Sequence, residues 1–154
     1  MEINQLLTPE RILVNLHASN KKQLLQELSS YASSIVNINE RSIFETLLER
    51  EALGTTGVGQ GIAIPHGKFD SLKQLYGFFV RLETPINFDS IDNQDVDLIF
   101  LLLAPETSGA DHLKALAKIS RLLRNQTICE KIRATEDINS IYGIFIHTPA
   151  SHAA

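Results

Sequence analysis

The feature that most constrains the fold is the segment 96–104, which reads VDLIFLLLA and is almost continuously apolar. A strand with one wet face alternates apolar and polar residues, so this run is typical of a strand covered on both faces. Further strands are predicted at 76–83, 12–16 and 62–64, with helical patterns between and after them. The sequence therefore predicts an α/β fold in a single domain, with a mixed β-sheet sandwiched between helices.

The predicted helices have identifiable caps. Ser19 and Asn39 are expected to cap the first two, and Gly54 to end the second, which places Arg50 in its last turn. The run 108–111 has the form of a capping box that opens another helix, with His112 in its first turn or just beyond. Two more helical pieces are predicted at 127–133 and after a cap at 135. The expected buried positions of the first three helices include Ile35, Leu48 and Leu113.

Size and charge restrict the class of protein. The 154 residues predict one domain over 1–148, followed by a loose tail at 149–154. A net charge of -4 with dispersed basic residues argues against a nucleic-acid partner. No apolar run approaches the ~20 residues that span a bilayer, so we expect a cytoplasmic protein, peripheral to a membrane at most. Cys129 is the only cysteine and is expected to pack as a small hydrophobe.

The glycine-rich run 54–61 does not predict a nucleotide site. Gly57, Gly59 and Gly61 are spaced GxGxG between a helix and a strand, whereas nucleotide loops follow a strand and precede a helix. The favoured interpretation is a loop that needs glycine for positive φ. The alternative is that Thr55, Thr56 and nearby N–H groups form part of an anion pocket.

Other common chemistries lack their patterns. The histidines show no close metal-ligand pairing, there is no GxSxG nucleophile elbow, and neither a metal nor another cofactor is expected. The acidic cluster at 89–97 does not match a calcium loop and is interpreted as a solvated loop, with a docking role left open. The histidines are His17, His66, His112, His147 and His152, and the acidic cluster contains Asp89, Asp92, Asp95 and Asp97.

His66 is the strongest candidate for chemistry. It follows the apolar run 62–64 and Pro65, which is expected to place it at a strand end, and Gly67 behind it lets main-chain N–H groups approach the ring. An imidazole that carries a bulky anion needs cationic or N–H partners, and Arg50 and His112 qualify if the fold brings them together. The alternatives are a structural histidine, a surface residue at 112, and an Arg50 that only complements the helix dipole.

The run 51–67, EALGTTGVGQGIAIPHG, resembles the phosphohistidine signature of the mannitol/fructose-type enzyme IIA family of the bacterial phosphoenolpyruvate-dependent phosphotransferase system. It matches every defined position of that signature. The segment 82–98, LETPINFDSIDNQDVDL, is similar to the nitrogen-regulatory branch, and the resemblance extends over about 6–142.

The resemblance implies that His66 is phosphorylated on Nε2 by an HPr-like phosphocarrier protein, with Arg50 and His112 close to it. Lys68 would add positive charge without a catalytic role. By family analogy the partners are regulatory targets such as transporters, sensor kinases or metabolic enzymes. Two alternatives stay open: a sugar-specific enzyme IIA that passes phosphate to a IIB component, and a binding module that is never phosphorylated.

Overall fold

The computed structural model describes residues 2–147, so the predicted tail at 149–154 lies outside the described residues. Its strands are β1 Ile12–Leu16, β2 Gly57–Gly59, β3 Ile62–Ala63, β4 His66–Phe69, β5 Tyr76–Ile86 and β6 Val96–Pro105. Its helices are α1 Ile3–Leu6, α2 Lys21–Val36, α3 Glu40–Ala52, α4 Ala110–Leu123, α5 Gln126–Ala134 and α6 Ile138–His147, with a 3-10 turn at Pro9–Arg11. Among these residues no helix is both long and apolar enough to cross a membrane.

The strands form one mixed sheet in the order β1-β5-β6-β3-β2, and β4 also pairs with β6. Strand β6 runs antiparallel to β5 and parallel to β3 and β4, while β1 is parallel to β5. The predicted α/β fold with a mixed sheet between helices is confirmed.

Strand β6 is buried on both faces, as its composition predicts. Leu98, Phe100 and Leu102 join a core cluster that includes buried residues of α4, α5 and α6. Ile99 and Leu101 face the other way, into a second core cluster with residues of α2 and α3. Two helical layers therefore cover this strand, which explains why it has almost no polar positions.

The predicted strand at 62–64 is shorter than expected, because the chain leaves the ladder before Pro65. Strand β3 ends at Ala63, and the N–H of Ile64 donates to the carbonyl of Thr56 instead. The chain rejoins β6 at His66, which pairs with Leu102. Proline has no N–H for the ladder, so the interruption coincides with it. His66 is thus the first residue of a new strand rather than the end of the preceding one.

Two of the helix caps agree with the sequence and one is displaced. Asn20 caps α2 in place of Ser19, its side chain accepting the N–H of Gln23. Asn39 caps α3 as predicted, and Arg50 lies in its last turn. The helix ends at Ala52 and the chain turns at Gly54, whose φ is 149°.

The predicted capping box at 108–111 is wrong. Helix α4 is preceded by Gly109 at φ 53° without a side-chain cap, and Ser108 offers only its carbonyl, to the N–H of Asp111. His112 nevertheless lies in the first turn. Thr135 ends α5, while the side chain of Asp137 accepts the N–H of Asn139 in the first turn of α6. Three predicted core positions are exposed, at 38%, 41% and 69%: Ile35, Leu48 and Leu113.

The glycine-rich run turns out to be a β-hairpin. Strands β2 and β3 are joined through Gln60 and Gly61 at φ 57° and 83°, which confirms the positive-φ interpretation. The acidic cluster is only partly a solvated loop, because Asp97 is ion-paired with Arg133 at 2.8 Å. Cys129 is buried in the core as predicted.

Candidate active site

Three predicted site residues meet beside strand β4. His66 opens β4, Arg50 comes from the last turn of α3, and His112 comes from the first turn of α4. Arg50 Nε lies 3.3 Å from His66 Nε2, and the rings of the two histidines are 5.4 Å apart between centroids, at 75°. The cluster is therefore assembled from segments far apart in the chain.

The hydrogen bonds of His66 define which nitrogen carries its hydrogen. Its Nδ1 lies 2.9 Å from the carbonyl oxygen of Ile64, which can only accept, so Nδ1 is the donor. The lone pair is then on Nε2, where it accepts from Arg50. Burial lowers the pKa of His66, and the Arg50 charge lowers it further against the opposing effects of the Ile64 bond and Glu51. At neutral pH the ring is neutral and Nε2 is its nucleophilic atom.

Among the described residues, Arg50 binds only neutral groups. Its Nη1 donates to the carbonyl of Gly54 at 2.8 Å, and its Nε donates to His66. Within residues 2–147 it forms no ion pair, so its charge is not neutralised by a carboxylate. A positive charge beside Nε2 favours an anionic group on that atom.

His112 is buried, with only 5% of its surface exposed. Burial lowers the pKa of His112 to about 4, with smaller effects of the same sign from His66 and Lys68. Its Nε2 has no hydrogen-bond partner among the described residues. Buried polar atoms are rarely left unpaired, so this atom marks a place where a ligand atom would complete the bonding. The start of α4 also favours negative charge.

The structure shows a packing reason for glycine at position 67. A Cβ at this position would lie 2.9 Å from Thr46 Cγ2 and 3.3 Å from the ring of Phe69. The glycine therefore lets β4 lie directly against α3, and the predicted approach of main-chain N–H groups to a bound anion stays a prediction. The contact places β4, which begins at His66, directly beside α3, which carries Arg50.

One part of the site was missed by the sequence analysis. Glu51 is buried, with only 8% of its surface exposed, and lies 2.9 Å from Lys21 Nζ. It accepts both the N–H and the hydroxyl of Thr56. Thr56 is thus committed to Glu51, and the hydroxyl of Thr55 to Phe88, which argues against the anion pocket considered for these threonines. The available signal was spacing, because Glu51 continues the buried i, i+4 series of Ile43 and Leu47.

The described residues contain no cluster of three His, Cys, Asp or Glu side chains that could hold a metal ion. The chemistry that the geometry offers is nucleophilic attack by a neutral imidazole nitrogen beside a fixed cation.

Comparison with known proteins shows agreement at the level of sequence. Residues 5–148 match the family model described as "Phosphoenolpyruvate-dependent sugar phosphotransferase system, EIIA 2". The chain is 55% identical over 153 residues to the nitrogen regulatory protein of Bradyrhizobium diazoefficiens, covering 99% of this chain and 100% of the relative. It is 40% identical over 150 residues to that of Escherichia coli K12, covering 96% and 91%.

A solved structure extends the agreement to the fold. The crystal structure of nitrogen regulatory protein IIA-Ntr from Neisseria meningitidis matches with a TM-score of 0.88 and 34% identity, covering 93% of this chain and 98% of that one. The chain belongs to the EIIA type-2 family of the phosphotransferase system, which confirms the resemblance seen in the sequence. Members of this family are phosphotransfer components.

Proposed function

We propose that this protein is a regulatory phosphocarrier of the nitrogen type, which accepts a phosphoryl group on His66 Nε2 from an HPr-like phosphohistidine carrier. The observation that carries the proposal is the fixed Nε2 lone pair, with an arginine beside it that no carboxylate of residues 2–147 neutralises. The similarity to nitrogen regulatory proteins over nearly the whole chain supports the regulatory type. The reaction requires no cofactor or metal.

In the transfer step, Nε2 of His66 attacks the phosphorus atom and forms the new N–P bond. The N–P bond of the donor histidine breaks, and its electron pair returns to the donor ring. At rest Arg50 donates to the lone pair that makes the new bond, so its guanidinium must move from the nitrogen to the phosphoryl oxygens. His112 Nε2 is the second donor, from a neutral ring. The charged hydrogen bond from Arg50, of roughly 1.5–3 kcal/mol, corresponds to about 10–100-fold in rate.

The regulatory output follows from charge. A phosphoryl group on histidine adds about two negative charges at neutral pH, placed on a surface where a neutral ring and a free cation lay before. Such a change reverses electrostatic complementarity and selects between partners. By family analogy these partners are transporters or sensor kinases.

Intact-mass measurement tests the proposal. The purified protein is incubated with phosphoenolpyruvate, enzyme I and an HPr-like carrier, alongside His66→Ala and a control, His17→Ala, at an exposed histidine paired with Glu83. We expect one added phosphoryl group on the wild type and the control, and none on His66→Ala.

Each other outcome has a meaning. If His66→Ala were phosphorylated to the same extent as the wild type, another residue would be the acceptor. No labelling of the wild type, with the carrier active on a control acceptor, would support an unphosphorylated binding module. Rapid discharge to a IIB component would support the sugar-specific alternative.

A further inference from the structure

The buried carboxylate of Glu51 is linked to the imidazole of His66 by successive hydrogen bonds. One Glu51 oxygen accepts the N–H of Thr56 at 3.0 Å, and the other accepts its hydroxyl. The carbonyl of Thr56 accepts the N–H of Ile64 at 3.0 Å. The carbonyl of Ile64 then accepts the Nδ1 hydrogen of His66 at 2.9 Å. Each bond fixes a group one step closer to the ring.

We infer that Glu51 is a positioning residue, which acts through Thr56 and Ile64 to hold His66 with its hydrogen on Nδ1 and its lone pair on Nε2. The inference rests on the proposed role of His66 and identifies what prepares that residue. The last bond of the series decides the tautomer, because a carbonyl can be satisfied only by a protonated nitrogen.

The location of the ion pair argues against a role in stability alone. Glu51 lies in the last turn of α3, where the helix dipole disfavours an anion, and Lys21 is the first residue of α2, where it disfavours a cation. Both groups are largely removed from water, and a well-packed apolar pair is often at least as stabilising as a buried ion pair. An apolar pair would not bind the N–H and hydroxyl of Thr56, which is the function that requires the carboxylate.

The same helix turn also anchors Arg50. Arg50 binds the carbonyl of Gly54, and the next residue, Glu51, binds Thr56, so consecutive residues hold the segment 54–56 at two points. The positions of the guanidinium and the imidazole are therefore both fixed by hydrogen bonds from the last turn of α3. This explains how their separation of 3.3 Å is maintained.

The test replaces the ion pair by apolar residues in the double variant Glu51→Leu/Lys21→Met. Nitrogen NMR of the unphosphorylated imidazole reports the tautomer, thermal melting reports stability, and quench-flow with the HPr-like carrier reports transfer. We expect melting at or near the wild-type temperature, a mixture of His66 tautomers, and transfer about tenfold slower, as for the loss of one charged hydrogen bond. Glu51→Gln, which still accepts the N–H of Thr56, should restore part of the rate.

Glu49→Gln, at an exposed position in the same turn, is the matched control and should behave as wild type. A folded double variant with the wild-type tautomer and rate would overturn the inference. If the double variant does not fold, Thr56→Val is measured instead, with the same two readouts and the same criterion. The NMR result holds even if the wild type accepts no phosphoryl group, so failure of the proposed function and failure of this inference are distinguishable.

Discussion

Two arginines of this protein lie in opposite electrostatic situations. Arg81 on β5 is 7% exposed, and its guanidinium donates to the carbonyls of Ile132 and Thr135 at 2.7 and 2.6 Å and pairs with Glu136 at 2.8 Å. Arg50 is half-buried, and its acceptors within residues 2–147 are a carbonyl and a neutral imidazole.

The difference separates a cation whose charge is paired within the fold from one whose partners are neutral. Arg81 holds the carbonyl end of α5, where the helix dipole is negative and unpaired carbonyls need donors. Its positive charge is paired with the carboxylate of Glu136. Under the proposed function, Arg50 keeps its charge available for the phosphoryl group that the carrier protein brings. An arginine with a satisfied charge thus belongs to the fold, and one with neutral partners is ready to bind.

Removing the two arginines should affect different properties: the transfer rate for Arg50 and the stability for Arg81. These are the largest expected effects. Arg50→Ala should slow phosphotransfer about 10–100-fold while changing the free energy of unfolding by less than about 1 kcal/mol. Arg81→Met should cost about 2–4 kcal/mol in stability, because helix carbonyls lose their donor, with transfer nearly unchanged in the folded protein. Quench-flow and urea unfolding measure the two quantities. Slow transfer by folded Arg81→Met would contradict the assignment.

His112 should have a smaller effect than Arg50. Its ring is a neutral donor, so its bond to the phosphoryl group lacks the attraction between opposite charges that Arg50 supplies. With roughly 0.5–1.5 kcal/mol lost, His112→Ala should slow transfer about 2–10-fold. His112→Gln, which retains an N–H donor, should lie closer to wild type. Transfer rate and the lifetime of the phosphorylated protein are the measurements, and wild-type values for both would reduce His112 to a scaffold residue.

The smallest effect concerns pH. Burial lowers the pKa of His112 to about 4 and also lowers the pKa of His66, so below their unfolded value of about 6.5 the unfolded chain binds more protons than the folded one. Stability is therefore present above that value and falls as pH decreases towards 4. Urea unfolding between about pH 7 and about pH 5 should show a smaller loss for His112→Gln than for wild type. Arg81→Met leaves both histidines in place and should keep the wild-type slope.

Local patterns were sufficient for much of the fold and for the location of the site. Apolar spacing gave β1, the central β6 and the buried side of α3, because each of these signals lies within a single element. The motif around His66, with Arg50 in the last turn of α3 and His112 in the first turn of α4, identified residues that the structure does bring together.

Contacts between elements were beyond local reasoning. Glu51 was noticed only as a position of the signature, because its partner Lys21 comes from α2 and nothing in the sequence joins the two. Gly67 was interpreted through its freedom near a ligand, whereas the limiting contact is Thr46 on the neighbouring helix. Leu113 fits an apolar spacing but faces away from the core, since helix rotation is set by packing.

The parallel pairing of β4 with β6 has a consequence for how the protein acquires activity. Strand β6 follows His66 in the chain and precedes His112. It pairs in parallel with β4 from His66 to Phe69, so the strand that contains His66 depends on a later segment. Such non-local pairings form late, because a long loop must close before any contact compensates for it. A growing chain that has passed the signature motif still lacks the strand that holds it. We therefore expect only the completely folded chain to accept a phosphoryl group. Incomplete chains that lack β6 should not be phosphorylated by the carrier protein.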